Sequence, residues 1–222
     1  AAALLLAVSA CGPKPMAPKA ELDTPGHHVT NGNKLLKAGK LEAAFTEFNR
    51  ARELDPKHSP AHLGMGIVYG LQGNFEGGFE SLKAADRFAA DDDEKLAVDV
   101  GYMRLYLAGR EQVDENWLNR VESAYRSAVR IDDQKPAPYY YMGLAYKESY
   151  EFRKAAAEFT QVLGLDGDLV GEADREYETI QRIERAMPGT TVGKKIALLD
   201  AITRADVAAL FIEELKIDDI FR

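Results

Sequence analysis

Four histidines, one cysteine, a run of acids and a scatter of glycines are the residues of this chain that could do chemistry. His58 and His62 stand at i, i+4, a spacing that puts two ring nitrogens on one helix face as metal ligands. The glutamate of a His-Glu-x-x-His pair is missing, and His58 falls in the turn before the helix that holds His62. Asp91-Asp92-Asp93-Glu94 has the charge of a cation site but lacks the alternating ligands and the glycine of a calcium loop. Acids at a helix start are what the helix dipole favours. No glycines form a Gly-x-Gly-x-x-Gly or Gly-Lys-Ser/Thr phosphate loop, and no serine sits in a glycine elbow with a histidine base. The sequence therefore predicts no catalytic residue, no metal and no cofactor.

Bulk properties narrow the partners. The 222 residues are 46% hydrophobic and 29% charged, with a formal net charge of −8. Nucleic-acid binding needs a basic face to neutralise phosphates, and adhesion to anionic lipid needs the same. The acidic balance serves solubility.

Cys11 is the single cysteine, which excludes an intrachain disulfide and a cysteine-built metal site. Ahead of it runs Ala1-Ala2-Ala3-Leu4-Leu5-Leu6-Ala7-Val8-Ser9-Ala10, too short to span a bilayer and the right length for the apolar core of a secretory signal. Val8-Ser9-Ala10-Cys11 resembles the lipobox of bacterial lipoproteins. That resemblance implies cleavage before Cys11, a lipid on its thiol and acylation of its amine. By the same analogy, Gly12 in place of an aspartate favours sorting to the outer membrane. A basic leading segment and an initiator methionine are not in the string, so residues 1–10 read as a signal remnant. Three prolines, Pro13, Pro15 and Pro18, then break any helix and favour an extended spacer, so residues 11–26 read as a lipidated cysteine and its tether.

The elements that follow repeat. Gly32, Gly39, Ala44, Phe48, Ala51, Leu54 and Pro56 define a unit, and a step of 34 residues lands on Gly66, Gly73, Gly78, Leu82, Ala85, Phe88 and Ala90. Another unit reads Gly143, Tyr146, Phe152, Ala155, Phe159, Val162 and Leu165. Small residues at Gly32, Gly66 and Gly143 face Ala44, Gly78 and Ala155 where paired helices cross, Phe48, Leu82 and Phe159 fill the seam, and Gly39 and Gly73 end first helices. Pro56 stops a second helix. These units resemble the tetratricopeptide repeat (TPR). The resemblance implies an all-α fold, a right-handed superhelical array of TPR helix pairs with a C-terminal capping helix.

A third, irregular unit lies between them. Leu96, Val98, Tyr102, Leu105 and Tyr106 lead to Gly109, and Trp117, Val121, Tyr125, Ala128 and Ile131 follow at helical spacing. The seven residues Arg110 to Asn116 lengthen its turn. A helix from Leu169 to Met187, carrying Tyr177, Ile180 and Ile183 among charges, provides the polar-backed cap a solenoid needs. Residues 27–188 thus form the repeat domain, with about four repeats. The remaining residues 189–222 form a helical segment in which Thr203 and Asp206 are spaced as a capping box. Its Thr203-Arg204-Ala205-Asp206 string also resembles the signature of S-layer homology domains. That implies a contact between Arg204 and a cell-wall polymer, although the glycine and aromatic pattern preceding that signature is absent.

With no chemistry found, the remaining resource is surface. In tetratricopeptide arrays the first helix of each pair lines the concave wall. By that resemblance Val29, Asn33, Leu36, Lys37, Leu63, Ile67, Met103, Tyr106, Tyr140, Leu144 and Lys147 line a partner-binding groove. Leu71 has the same offset. The groove lacks the Lys, Asn and Arg run that clamps acidic C-termini, so a helix or an apolar extended peptide suits it better. The resemblance implies a non-enzymatic scaffold, lipid-anchored in the bacterial envelope and facing the periplasm. It would hold a protein partner during assembly of a pilus, secretion or outer-membrane machine. The alternative is an envelope-tethering protein that combines the repeats with a polymer-binding C-terminal segment.

Overall fold

A computed structural model describes residues 14–165, 167–186, 188–199 and 201–214. Cys11, the signal remnant, Met187 and Leu215 lie outside the described residues. The described residues are helical with turns between, and none forms a strand. The chain divides into two compact units, Ala1–Glu94 and Lys95–Arg222.

The first unit contains α1 (Pro25–Lys37), α2 (Leu41–Leu54), α3 (Ser59–Leu71) and α4 (Phe75–Phe88), two helix pairs in succession. Local sequence sets each boundary. Thr24 caps α1 by accepting from the His27 amide at 3.3 Å, and Pro25 takes the first turn, where no N–H is needed. The helix therefore begins inside the stretch read as tether. Gly39 and Gly73 close α1 and α3 at φ +71° and +79°, backbone that glycine adopts without a Cβ penalty. Asn74 caps α4 through the Gly77 amide at 3.0 Å.

Core packing explains the repeat. Phe48 is fully buried on α2. A Cβ on Gly32 of α1 would sit 2.6 Å from its Cε1, and one on Gly64 of α3 would collide with the same ring. Two glycines from two helices thus make room for one phenylalanine, whose burial contributes about 1.5–3 kcal/mol. In the second pair, a Cβ on Gly66 would meet the Gly78 carbonyl at 3.0 Å and Leu82 Cδ2 at 3.1 Å. Gly66 therefore faces both its small counterpart on the partner helix and the seam side chain, whereas Gly32 faces the seam phenylalanine.

The second unit is built from α5 (Asp92–Gly109), α6 (Trp117–Ile131), α7 (Pro136–Glu148), α8 (Phe152–Gly164), α9 (Val170–Ala186), α10 (Thr191–Ala197) and α11 (Arg204–Glu213). The first residues of α5 belong to the first unit. Asp91 accepts from the Glu94 amide at 2.8 Å while Glu94 accepts from the Ala90 amide at 2.8 Å, so this acidic string serves a helix start. A single 3₁₀ turn at Arg110–Gln112 occupies the lengthened connection to α6. Trp117, Val121, Met103, Met142 and Ala145 form one buried cluster there. Phe159 fills the α7–α8 seam as Phe48 does earlier, with Gly143 at 2.6 Å from its Cε1 if a Cβ is added. The turn after α7 has no glycine. Tyr150 takes the left-handed conformation at φ +63°, seven residues after Gly143 as Gly39 and Gly73 follow Gly32 and Gly66.

Candidate functional site

In the first unit α1 and α3 are neighbours. Val29 and Leu36 are half-buried against the Phe48 and Met65 cluster, which anchors them without hiding them. Asn33 and Lys37 are exposed on the same helix, and Leu63 is half-buried on α3. Leu71 is 52% exposed, a large apolar side chain at the end of the α3 face. Ile67 departs from the expectation: at 7% exposure it is core, because α3 is apolar almost throughout and buries much of its circumference.

Within the second unit Met103 is buried, and Tyr106, Tyr140, Leu144 and Lys147 are half-buried. Met103 has no exposed surface at all, so it cannot touch a partner and belongs to the core with Trp117 and Met142. Tyr106 is half-buried against that same cluster. Tyr140 and Leu144 pack against the cluster of Phe159, Ala173, Ile180 and Ile183. Lys147 Nζ donates to Glu176 Oε2 of α9 at 2.7 Å. The Tyr140 hydroxyl is pushed up to about 12 by burial first and by the negative field of Glu176 next. The capping helix thus supplies neighbours to Tyr140, Leu144 and Lys147, while the exposed members of the expected surface, Asn33, Lys37 and Leu71, lie on α1 and α3.

His58 and His62 have separate surroundings. His62 is half-buried, with Nε2 2.9 Å from the Pro56 carbonyl and its ring 5.5 Å from Phe88, and burial lowers its pKa. His58 precedes α3 as its N-cap residue. Among the described residues no group of three or more His, Cys, Asp or Glu side chains could hold a metal ion.

One polar cluster was not visible in the sequence. His28 Nδ1 lies 2.7 Å from Glu47 Oε2, and its Nε2 lies 2.9 Å from Asp23 Oδ1. Arg50 donates from Nε to Asp23 Oδ1 at 3.0 Å and from Nη2 to Asp23 Oδ2. Its members are up to 27 residues apart, and no periodicity links them. The adjacent His27 and His28 were the only local sign.

At the C-terminal end, Thr203 and Asp206 form a reciprocal capping box on α11. Arg204 is exposed at the first position of that helix, beside a surface depression of 410 Å³ lined by Ile202, Val207 and Phe211. A larger apolar hollow of 800 Å³ separates α10 from α11. Glu214 joins the two helices by accepting from the Gly189 amide at 3.0 Å, the Thr190 amide at 2.8 Å and the Thr190 hydroxyl at 2.7 Å.

No known family model matches the chain, and no curated protein matches it in sequence. Solved structures do match. A thermophilic TPR protein of Thermus thermophilus superposes with a TM-score of 0.58 at 20% identity, over 86% of this chain and 99% of that one. The pilF protein of Pseudomonas aeruginosa gives a TM-score of 0.37 at 14% identity, over 77% of this chain and 95% of that one. The repeating glycine, alanine and phenylalanine seams, together with the first of these superpositions, identify an all-α tetratricopeptide-repeat fold closed by a capping helix.

Proposed function

We propose that this protein is an envelope scaffold whose α1–α3 face holds a protein partner. The observation that carries the reading is the apolar surface left on these two helices: Leu71 is 52% exposed and Leu63 half-buried on α3, and Val29 and Leu36 are half-buried on α1. Asn33 and Lys37 flank it with polar groups, the mixture that orients an amphipathic helix or an extended apolar peptide. The envelope setting rests on the lipobox-like Val8-Ser9-Ala10-Cys11 string, with Cys11 as the lipid attachment point. Assembly of a pilus, secretion or outer-membrane machine is the role that such a tethered, non-catalytic scaffold serves.

Capture of the native partner from solubilised envelopes, followed by titration of the purified pair, tests the binding surface. Leu71→Asp should weaken the complex about tenfold or more, equivalent to roughly 1.4 kcal/mol, while leaving helical content unchanged. Gln161→Lys, on an exposed position of α8, should leave affinity unaltered. Anchoring is tested separately: the full precursor should fractionate with membranes, and Cys11→Ser should release it or leave it uncut. An unmodified mature protein with a free Cys11 thiol would rule the anchor out.

A second role, tethering to a wall polymer through the C-terminal segment, draws its support from the exposure of Arg204 at the depression on α11. Sedimentation with purified wall material would test it, with Arg204→Ala abolishing the interaction.

A further inference from the structure

The segment leading into α1 is not a free spacer. The Met16 amide donates to the Glu53 carbonyl on α2 at 2.7 Å, and Arg50 reaches the Ala17 carbonyl at 3.4 Å. The Lys19 amide donates to Asp23 Oδ2 at 2.6 Å, which turns the segment back on itself just before the helix. Residues 16–23 therefore lie along α2 as a strap. Its far end is fastened by the cluster of Asp23, His28, Glu47 and Arg50.

The chemistry of that fastening depends on protonation. Both ring nitrogens of His28 face carboxylate oxygens, at 2.7 Å and 2.9 Å, and an ionised carboxylate can only accept. Two N–H groups are needed to satisfy both contacts, and only the imidazolium has two. Neutral His28 would turn a lone pair against either Glu47 or Asp23. The charged groups around the ring are Asp23 from the strap, Glu47, Arg50 and Glu53 from α2, and the His27 ring edge-on at 5.8 Å within α1. Three carboxylates meet one guanidinium, so loss of the His28 proton takes Asp23, Glu47, Glu53, Arg50 and His28 together from a net charge of −1 to −2.

We infer that the strap is a pH-responsive fastening, held on α2 while His28 carries both ring protons and loosened when it carries one. Burial works against the charged ring, but the hydrogen bonds it donates to Glu47 and Asp23 outweigh that and raise the His28 pKa above its ordinary 6.5. Arg50 first, and the Lys19 amide next, hold the Asp23 carboxyl well below the usual carboxylate range, so Asp23 stays ionised through the relevant pH window. The sign follows: a raised histidine pKa adds stability that is complete below 6.5 and is lost as pH rises through the folded-state value. Loosening the strap frees residues that extend by up to about 3.3–3.6 Å each, which lengthens the reach between the repeats and whatever holds the N-terminus. The inference stands independently of a lipid at Cys11.

The test uses the intact chain and two readings taken from about pH 5 to about pH 9, the range in which histidine charge changes. Ring resonances of His28, assigned with His28→Gln, give its midpoint. Hydrogen exchange at the Met16 amide, expressed relative to an unstructured peptide at each pH, reports whether the strap is down. The midpoint should exceed 6.5, and Met16 protection should fall with the same midpoint. Glu47→Gln should move both midpoints downward together, a displacement that a merely structural contact would not produce. In His28→Gln the Met16 protection should lose its pH dependence, with circular dichroism checking that the helices remain. A His28 midpoint at or below 6.5, or Met16 protection that is level across the range, would overturn the inference.

Discussion

Phe159 is fully buried, and it is Gly143 that leaves room for its ring. Gly143→Leu should therefore destabilise the protein by about 1–3 kcal/mol in denaturant melts, the usual cost of overpacking a rigid core. A suitable contrast is Gly164→Ala: an added Cβ meets nothing within 4 Å there, and the backbone is not left-handed. That change should be neutral or stabilise by up to about 1 kcal/mol through reduced freedom of the unfolded chain. Gly167 would serve poorly, since its Cβ would sit 2.8 Å from Pro136 Cγ. Glu158 likewise is no neutral surface control. It accepts from the Tyr125 hydroxyl at 3.1 Å, and burial raises its pKa, so Glu158→Lys should lower the melting temperature before it affects any partner. The sequence pattern made Gly143 and Phe159 legible because small and large residues recur at fixed offsets. It could not reveal Gly64 against Phe48, since that contact is made between successive pairs and falls off the repeating positions.

Among elements, the boundaries that depend on local chemistry were readable, and those that depend on neighbours were not. Gly39, Gly73 and Thr203 announce their turns and caps. The turn at Tyr150 has no glycine to mark it, and tertiary packing against the Phe159 cluster holds a tyrosine in left-handed backbone instead. Helix α9 reads correctly as a polar-backed cap from Tyr177, Ile180 and Ile183. Its pairing of Glu176 with Lys147 was not legible, because it joins residues 29 apart. The C-terminal helices bring a pH prediction at this scale. Thr190 first, then its amide and that of Gly189, lower the Glu214 pKa from its ordinary 4.5. A depressed carboxylate adds stability that is present above 4.5 and is lost as pH falls through the folded-state value. In acid, α10 and α11 should therefore gain amide exchange before α7 and α8 do, and Glu214→Gln should show that looseness already at neutral pH. Equal exchange rates for the four helices throughout the titration would contradict this.

At the scale of the whole molecule, function turns on which surface remains after the helices have satisfied one another. On the reading proposed above, the partner of this all-α chain of net charge −8 meets α1 and α3, where Leu71 is exposed. The groove residues named from repeat offsets divide according to their neighbours. Val29, Asn33, Leu36, Lys37 and Leu63 retain surface, whereas Ile67 and Met103 are core and Lys147 is engaged by α9. Repeat position alone cannot separate these cases, because it specifies direction from a helix axis and not what the next helix covers. The most direct measurement places a photoreactive side chain at Asn33, at Leu71 and, as an outer reference, at Gln161, in cells that carry the native partner. Adducts to one partner species should form from Asn33 and Leu71 and be absent from Gln161. Adducts from Gln161 with none from α1 or α3 would contradict the assignment of the working face.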